Sequence, residues 1–133
     1  KVRLTARGAG EPAANAELTQ MGYEFYPEAL ENTIRDAVAV SGCPIIVTEN
    51  GLGTEDDTRR VAYIERALQG VTRCLTDGLD VRGYFYWSAF DNFEWQLGYR
   101  PHFGLIGVDR ESFEVTIKPS ARRLGDIARA NAV

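Results

Sequence analysis

Residues 45–47, Ile-Ile-Val, form an apolar run without alternation that opens directly onto Thr48-Glu49-Asn50-Gly51. A run with no polar residue at every second position has no solvent face, so it predicts a strand covered on both sides, as in a parallel sheet between helices. In such folds the chemistry collects at the C-terminal ends of the strands. The run therefore delivers a carboxylate, that of Glu49, to the edge where an α/β protein keeps its reactive groups. Taken alone, the segment accommodates a plainer role equally well, with Glu49 capping the helix that follows.

A second stretch tips that balance. Residues 82–88, Arg-Gly-Tyr-Phe-Tyr-Trp-Ser, predict another strand, after which the pattern breaks into a loop that carries Phe93, Trp95 and Tyr99 beside Asp91 and Glu94. Solvation alone explains such a loop poorly. Flat aromatic faces pack against the C–H surfaces of sugar rings, while carboxylates and indole N–H groups bind ring hydroxyls. Phe90 and Phe93 are assigned instead to filling the top of a core.

These segments stand in a telling order. Thr48-Glu49-Asn50-Gly51 after an apolar strand, Trp87-Ser88 followed by Asp91-Asn92-Phe93-Glu94-Trp95 and Gly98-Tyr99, and then Phe103-Gly104-Leu105 closely resemble the C-terminal part of glycoside hydrolase family 1, the retaining β-glucosidases and β-galactosidases. Met21-Gly22-Tyr23, Tyr26-Pro27-Glu28 and Lys118-Pro119-Ser120-Ala121 extend the likeness over nearly everything from Thr19 onward. The resemblance implies an α/β fold, the C-terminal portion of a (β/α)8 TIM barrel, with residues 1–133 forming part of one barrel domain. It implies that Glu49 is the nucleophile that forms a covalent glycosyl-enzyme intermediate. Trp87 would be the platform beneath the sugar, Glu94 the acceptor for its outer hydroxyls, and Trp95 a donor to a neighbouring hydroxyl. Phe103 matches a position lining the same pocket. A strand end also suits a nucleophile physically, because it aims the carboxylate more rigidly than a mobile loop.

Retaining hydrolysis needs a second carboxyl group about 5–5.5 Å from the first, acting as general acid. In the family this group sits in a Thr-x-Asn-Glu-Pro motif, which is absent here. Glu11-Pro12 has no strand before it and is not a substitute. Glu94 matches the sugar-binding carboxylate instead. Length points the same way, since such a barrel takes about 250 residues and this chain has 133. The chain is read as a piece of a barrel, whose partners are a β-glucoside and the N-terminal remainder of the barrel or copies of itself. The alternative is a catalytically inactive partial barrel that self-associates.

Within that piece, residues 1–20, with Gly8, Gly10 and Pro12, predict a loop or boundary segment. A helix begins at Pro27, places Leu30, Ile34, Ala37 and Val38 on one face, and ends at Ser41-Gly42. A second runs over 58–76 with Val61, Ile64, Leu68, Val71 and Leu75 at helical spacing. A third starts near Pro119 and buries Ala121, Leu124, Ile127 and Ala128. The expected whole is two parallel strands joined by a helix and flanked by two more, with Tyr84, Tyr86, Ile45 and Val47 facing the barrel interior.

Composition sets limits. A net charge of −4 with no basic stripe argues against nucleic acid or an anionic membrane surface. No segment is long and apolar enough to span a bilayer. Glu55-Asp56-Asp57 reads as a solvated loop and helix start, where negative charge suits the helix dipole. His102, the only histidine, leaves no histidine-based metal site or Ser–His triad, and no metal or cofactor is expected. It stands where the family often has arginine. Cys43 and Cys74 lack a metal spacing, are both expected to be buried, and fit a reduced, cytoplasmic setting. Because a carboxylate facing a phosphate would be repelled, Glu94 with Trp95 favours an unphosphorylated β-glycoside.

Overall fold

The computed structural model describes residues 15–133. Most of the segment expected to be a boundary loop, and the Glu11-Pro12 pair, lie outside them.

Helix α1 spans Ala29–Ser41 and stops where Gly42 adopts a left-handed conformation, φ 65°, with its N–H bonded to the Val38 carbonyl. Strand β1, Ile45–Asn50, follows at once. Helix α2 spans Asp57–Thr76. Its first turn is capped by Asp56, whose carboxylate accepts from the N–H (2.9 Å) and hydroxyl (2.6 Å) of Thr58, an arrangement worth about 1 kcal/mol. Strand β2, Val81–Tyr86, lies parallel to β1. A short antiparallel pair, β3 (Ile106–Val108) and β4 (Val115–Ile117), then leads into helix α3, Pro119–Ala130. The β3–β4 pair was not expected. Its strands have three residues each and one contains Gly107, too short a span for alternation to register.

The helices pack on one face of the β1–β2 pair. Ile34 of α1, Val47 of β1, Ile64, Leu68, Val71 and Cys74 of α2 and Ile127 of α3 form the core, with Ile45, Val81, Tyr84 and Tyr86 packed against it. The sequence expectation for the two strands is thus reversed. Ile45, Val47, Tyr84 and Tyr86 face the helices, while Ile46 (56 % exposed) and Phe85 (62 %) occupy the open face. An apolar run without alternation carries no parity, so which residues face the helices is decided by the packing. Leu75 and Ala128 are exposed, with Cys74 buried next to Leu75 and Ile127 buried as expected, and Cys43 is exposed although Cys74 is buried.

Ion pairs tie the helices together. Glu31 of α1 accepts from Arg35 and reaches Arg73 of α2, and Arg66 bonds Glu28. The start of α3 is held by Asp57, which accepts the N–H and the hydroxyl of Ser120, both at 2.8 Å. Asp57 is therefore a junction between α2 and α3 rather than part of a solvated acidic run.

Candidate active site

The C-terminal ends of β1 and β2 meet in one seam. Register pairs Val47 with Tyr84 but Asn50 with Tyr86, three steps on β1 against two on β2, so β1 carries an extra residue within Thr48-Glu49. Bulges of this kind re-aim side chains beside active sites. Asn50 is held on the helix side: its amide donates to the Tyr63 hydroxyl (3.1 Å) and its carbonyl accepts from the Tyr84 hydroxyl (3.0 Å). Glu49 lies inside the last turn of β1, one residue before the strand ends, with its side chain exposed. It is not a helix cap, since Asp56 fills that role for α2.

Gly51 locks this seam. A Cβ at that position would stand 1.7 Å from the Trp87 carbonyl oxygen, and the Trp87 N–H donates to the Asn50 carbonyl at 3.0 Å. No side chain fits at Gly51 unless the backbone of one strand end moves. Gly51→Ala is expected to lower stability by about 1–3 kcal/mol and to perturb tryptophan emission. A denaturant titration that gives the same midpoint as the parent protein would contradict the close approach.

Trp87 follows β2 directly, is 38 % exposed, and is joined to Ser88 by a cis peptide bond. The chain then runs beside residues 103–106: Leu105 donates to the Ser88 carbonyl (2.9 Å), Ile106 to Ala89 (2.9 Å) and Asp91 to Ile106 (3.0 Å). Phe103 is thereby set over Gly53, where a Cβ would come 3.2 Å from its ring. Glu49, Trp87 and Phe103 are gathered along three adjacent backbone segments.

Glu94 precedes and Trp95 opens a one-turn 3-10 helix, Trp95–Leu97, and the Glu94 N–H donates to the Gly98 carbonyl at 2.7 Å. Trp95 is 82 % exposed. Among the described residues no hydrogen bond joins either side chain to Glu49, Trp87 or Phe103. Phe90 and Phe93 are half or more exposed, so they do not fill a core. Phe93 meets Tyr99 edge to face at 5.3 Å, and Arg110 covers the Tyr99 ring at 4.0 Å.

Asp91 anchors the loop. Its carboxylate accepts from Lys118 (2.8 and 3.0 Å) and the Gly104 N–H (2.8 Å), with His102 Nδ1 at 3.4 Å. Burial pushes its pKa up, but Lys118, the Gly104 amide and His102 together hold it below the usual carboxylate range. His102 thus does make a carboxylate contact at the arginine position. With its oxygens engaged by Lys118 and the Gly104 amide, Asp91 ties the loop to Phe103-Gly104.

Sequence reasoning missed Arg60. It is fully buried in α2, pairs with Asp57, and donates to the carbonyls of Thr54 and His102, both at 2.6 Å. The signal was present: Arg60 shares the helical stripe of Ile64, Leu68 and Val71, where a charge has no solvent unless it is there to bind something. The Tyr86 hydroxyl faces it and accepts the Leu52 N–H at 3.3 Å; burial outweighs the arginine's pull and raises the Tyr86 pKa to about 12.

Among the described residues, one concavity lies by His102 and another along β1. A cleft of about 530 Å³ is lined by Gln20, Glu55, Leu97, Arg100, Pro101 and His102, none of them an expected site residue. A groove of about 430 Å³ runs along the outer edge of β1, lined by Leu30, Ile34, Ala37, Ile45, Val47 and Glu49 among others. The described residues hold no cluster suited to a metal ion. No helix among them is long and apolar enough to cross a membrane.

Comparison with known proteins identifies the family and fold to which this seam belongs. The profile of Glycosyl hydrolase family 1 matches residues 4–133. A bifunctional beta-D-glucosidase/beta-D-fucosidase from Bifidobacterium breve is 41 % identical over 134 aligned positions, covering 87 % of this chain and 29 % of that protein. A beta-galactosidase from Sulfolobus acidocaldarius is 37 % identical over 120, covering 90 % and 24 %. Among solved structures, the apo form of beta-glucosidase 1317 superposes with a TM-score of 0.91 at 53 % identity, over 95 % of this chain and 31 % of that one. The chain belongs to glycosyl hydrolase family 1, and its fold is part of that family's (β/α)8 barrel. It spans between about a quarter and a third of the length of these relatives.

Proposed function

We propose that this chain supplies the nucleophile and part of the glycone-binding site of a retaining β-glycosidase of the β-glucosidase type. The observation that supports the proposal is the seam in which Gly51 closes on the Trp87 carbonyl, because it ties the turn that follows the exposed Glu49 to the backbone of an aromatic residue. In the first step Glu49 attacks the anomeric carbon, the glycosidic C–O bond breaks, and the leaving oxygen takes a proton from a general acid. In the second, water attacks the same carbon and gives its proton to that acid's conjugate base. Glu49 then departs as carboxylate. Trp87 stacks beneath the sugar, Phe103 walls the pocket, and Glu94 and Trp95 close over the hydroxyls from the exposed 3-10 turn. An unphosphorylated glucoside suits the Glu94–Trp95 pair.

The general acid comes from the rest of the barrel. The groove along the outer edge of β1 is lined by Glu49 itself, so the element that covers it lies next to the nucleophile. The N-terminal remainder of the barrel, or another copy of this chain, is the partner that fills it. Free Cys43 and Cys74 suit a reducing, cytoplasmic setting. The open face of Ile46 and Phe85 favours a second reading for the chain by itself, an inactive partial barrel that self-associates.

An activated 2-fluoro-β-glucoside, which forms the glycosyl-enzyme but hydrolyses it slowly, tests the assignment. The complete protein is expected to be labelled on Glu49, as read by mass spectrometry of the peptide spanning residues 44–59. A label on Glu94 would overturn it.

A further inference from the structure

We infer that Arg60 is a positioning residue for this site, its buried guanidinium clamping the Thr54 and His102 carbonyls and so fixing the two loops that bring Phe103 and Trp87 to the Glu49 turn. The inference rests on the active-site reading above. Burying a guanidinium is costly unless charge and hydrogen bonds compensate, and here the compensation is specific. Asp57 supplies the countercharge, and is itself held by the Ser120 N–H and hydroxyl. One nitrogen, Nη2, then spans two segments 48 residues apart, donating to Thr54 and to His102 at 2.6 Å each. The same two segments are joined by the Thr54 N–H to the His102 carbonyl at 3.0 Å. Nε remains without a partner, so the side chain is placed for what its terminal nitrogens hold.

What those nitrogens hold leads straight to the site. Thr54 follows Gly53, on which the Phe103 ring rests, and His102 precedes Phe103 in the chain. Tyr86, whose hydroxyl faces Arg60 and accepts the Leu52 N–H, immediately precedes Trp87. The clamp thus acts on the 51–54 turn, the end of β2 and the 102–103 segment at once. A planar fork with several donors in fixed directions is needed for this, and a lysine ammonium, a flexible point charge, does not reproduce it. A displacement of roughly 1 Å at a catalytic centre costs about a hundredfold in rate, so slack in this clamp is read in chemistry before it is read in folding.

The test uses the complete protein and the 2-fluoro-β-glucoside, at a temperature well below the melting transition of each variant. Arg60→Lys is expected to slow labelling of Glu49 about tenfold or more while labelling still goes to completion. Phe103→Ala is expected to slow it too, and the double variant to fall well short of the product of the two single effects, because part of what the arginine does passes through the phenylalanine's segment. If Arg60→Lys fails to fold, Asp57→Asn, which removes the countercharge and leaves the carbonyls in place, carries the same measurement and the same coupling to Phe103→Ala. Labelling at the parental rate in the folded variant, or rate effects that simply multiply with those of Phe103→Ala, would show Arg60 to be structural only. A parent protein that takes no label at Glu49 would instead overturn the active-site reading.

Discussion

Replacing Glu49 by glutamine in the complete protein is expected to lower kcat/KM on an aryl β-glucoside by roughly 10⁴-fold or more, the scale of loss seen when a covalent nucleophile is removed. Glutamine keeps the shape but cannot form the ester intermediate, and Glu49 is exposed with no hydrogen bond among the described residues that the amide would disturb, so circular dichroism and melting should be unchanged. The loss is chemical, and chemistry can restore it. Glu49→Ala leaves a space on the nucleophile's side of the sugar, and azide entering there should displace an activated β-linked leaving group to give the α-glycosyl azide, with inverted configuration. Glu94→Ala should behave otherwise. It removes contacts to hydroxyls and is expected to cost a few kcal/mol of transition-state stabilisation, with no azide rescue. A Glu49→Gln enzyme with near-parental turnover would place the nucleophile elsewhere.

What the sequence revealed and what it hid divide along physical lines. Ile45-Ile46-Val47 announced a strand, although here only one of its faces is covered rather than both, and Asp56, Gly42 and Pro119 marked helix ends, because these signals are local: a side chain caps its own helix, and a left-handed residue stops one. The bulge that sets Glu49 within β1 is not local. It exists only in the register of β1 against β2, Val47 with Tyr84 and Asn50 with Tyr86. The same holds for the orientation of the strands, since nothing in an all-apolar run says that Val47 rather than Ile46 meets the helices. Arg60 was overlooked for a different reason. An arginine in an amphipathic helix is ordinarily solvated, and its place on the apolar stripe does not tell that Asp57, the Thr54 carbonyl and the His102 carbonyl, the last from a segment 42 residues away, together make its burial favourable. Asp91 is a similar case. The sequence showed it only as an acid in an aromatic loop and gave it no role of its own, because Lys118 and the Gly104 amide, which take its oxygens, are remote in sequence.

By itself, this polypeptide is expected to be catalytically silent and to self-associate. Two-stranded sheets are marginal in water without further strands or a second covering layer. Here the helices cover one face of β1 and β2, while Ile46 and Phe85 stand more than half exposed on the other, and the groove beside β1 presents Leu30, Ala37 and Ile45. Closed barrels leave no strand edge free, and an unpaired edge beside an apolar face is a template for another chain. Chemistry adds the second part of the expectation. The chain has no Thr-x-Asn-Glu-Pro motif, so Glu49 would have to expel an unprotonated leaving oxygen. Aryl glucosides with a poor leaving group should therefore show no turnover, whereas addition of the N-terminal remainder of the barrel should both disperse the associated species and restore activity. Light scattering on the purified chain, read alongside the assay, decides the matter. A monodisperse monomer that hydrolyses the substrate would mean that the general acid resides within these 133 residues and that the open face of β1 and β2 needs no cover.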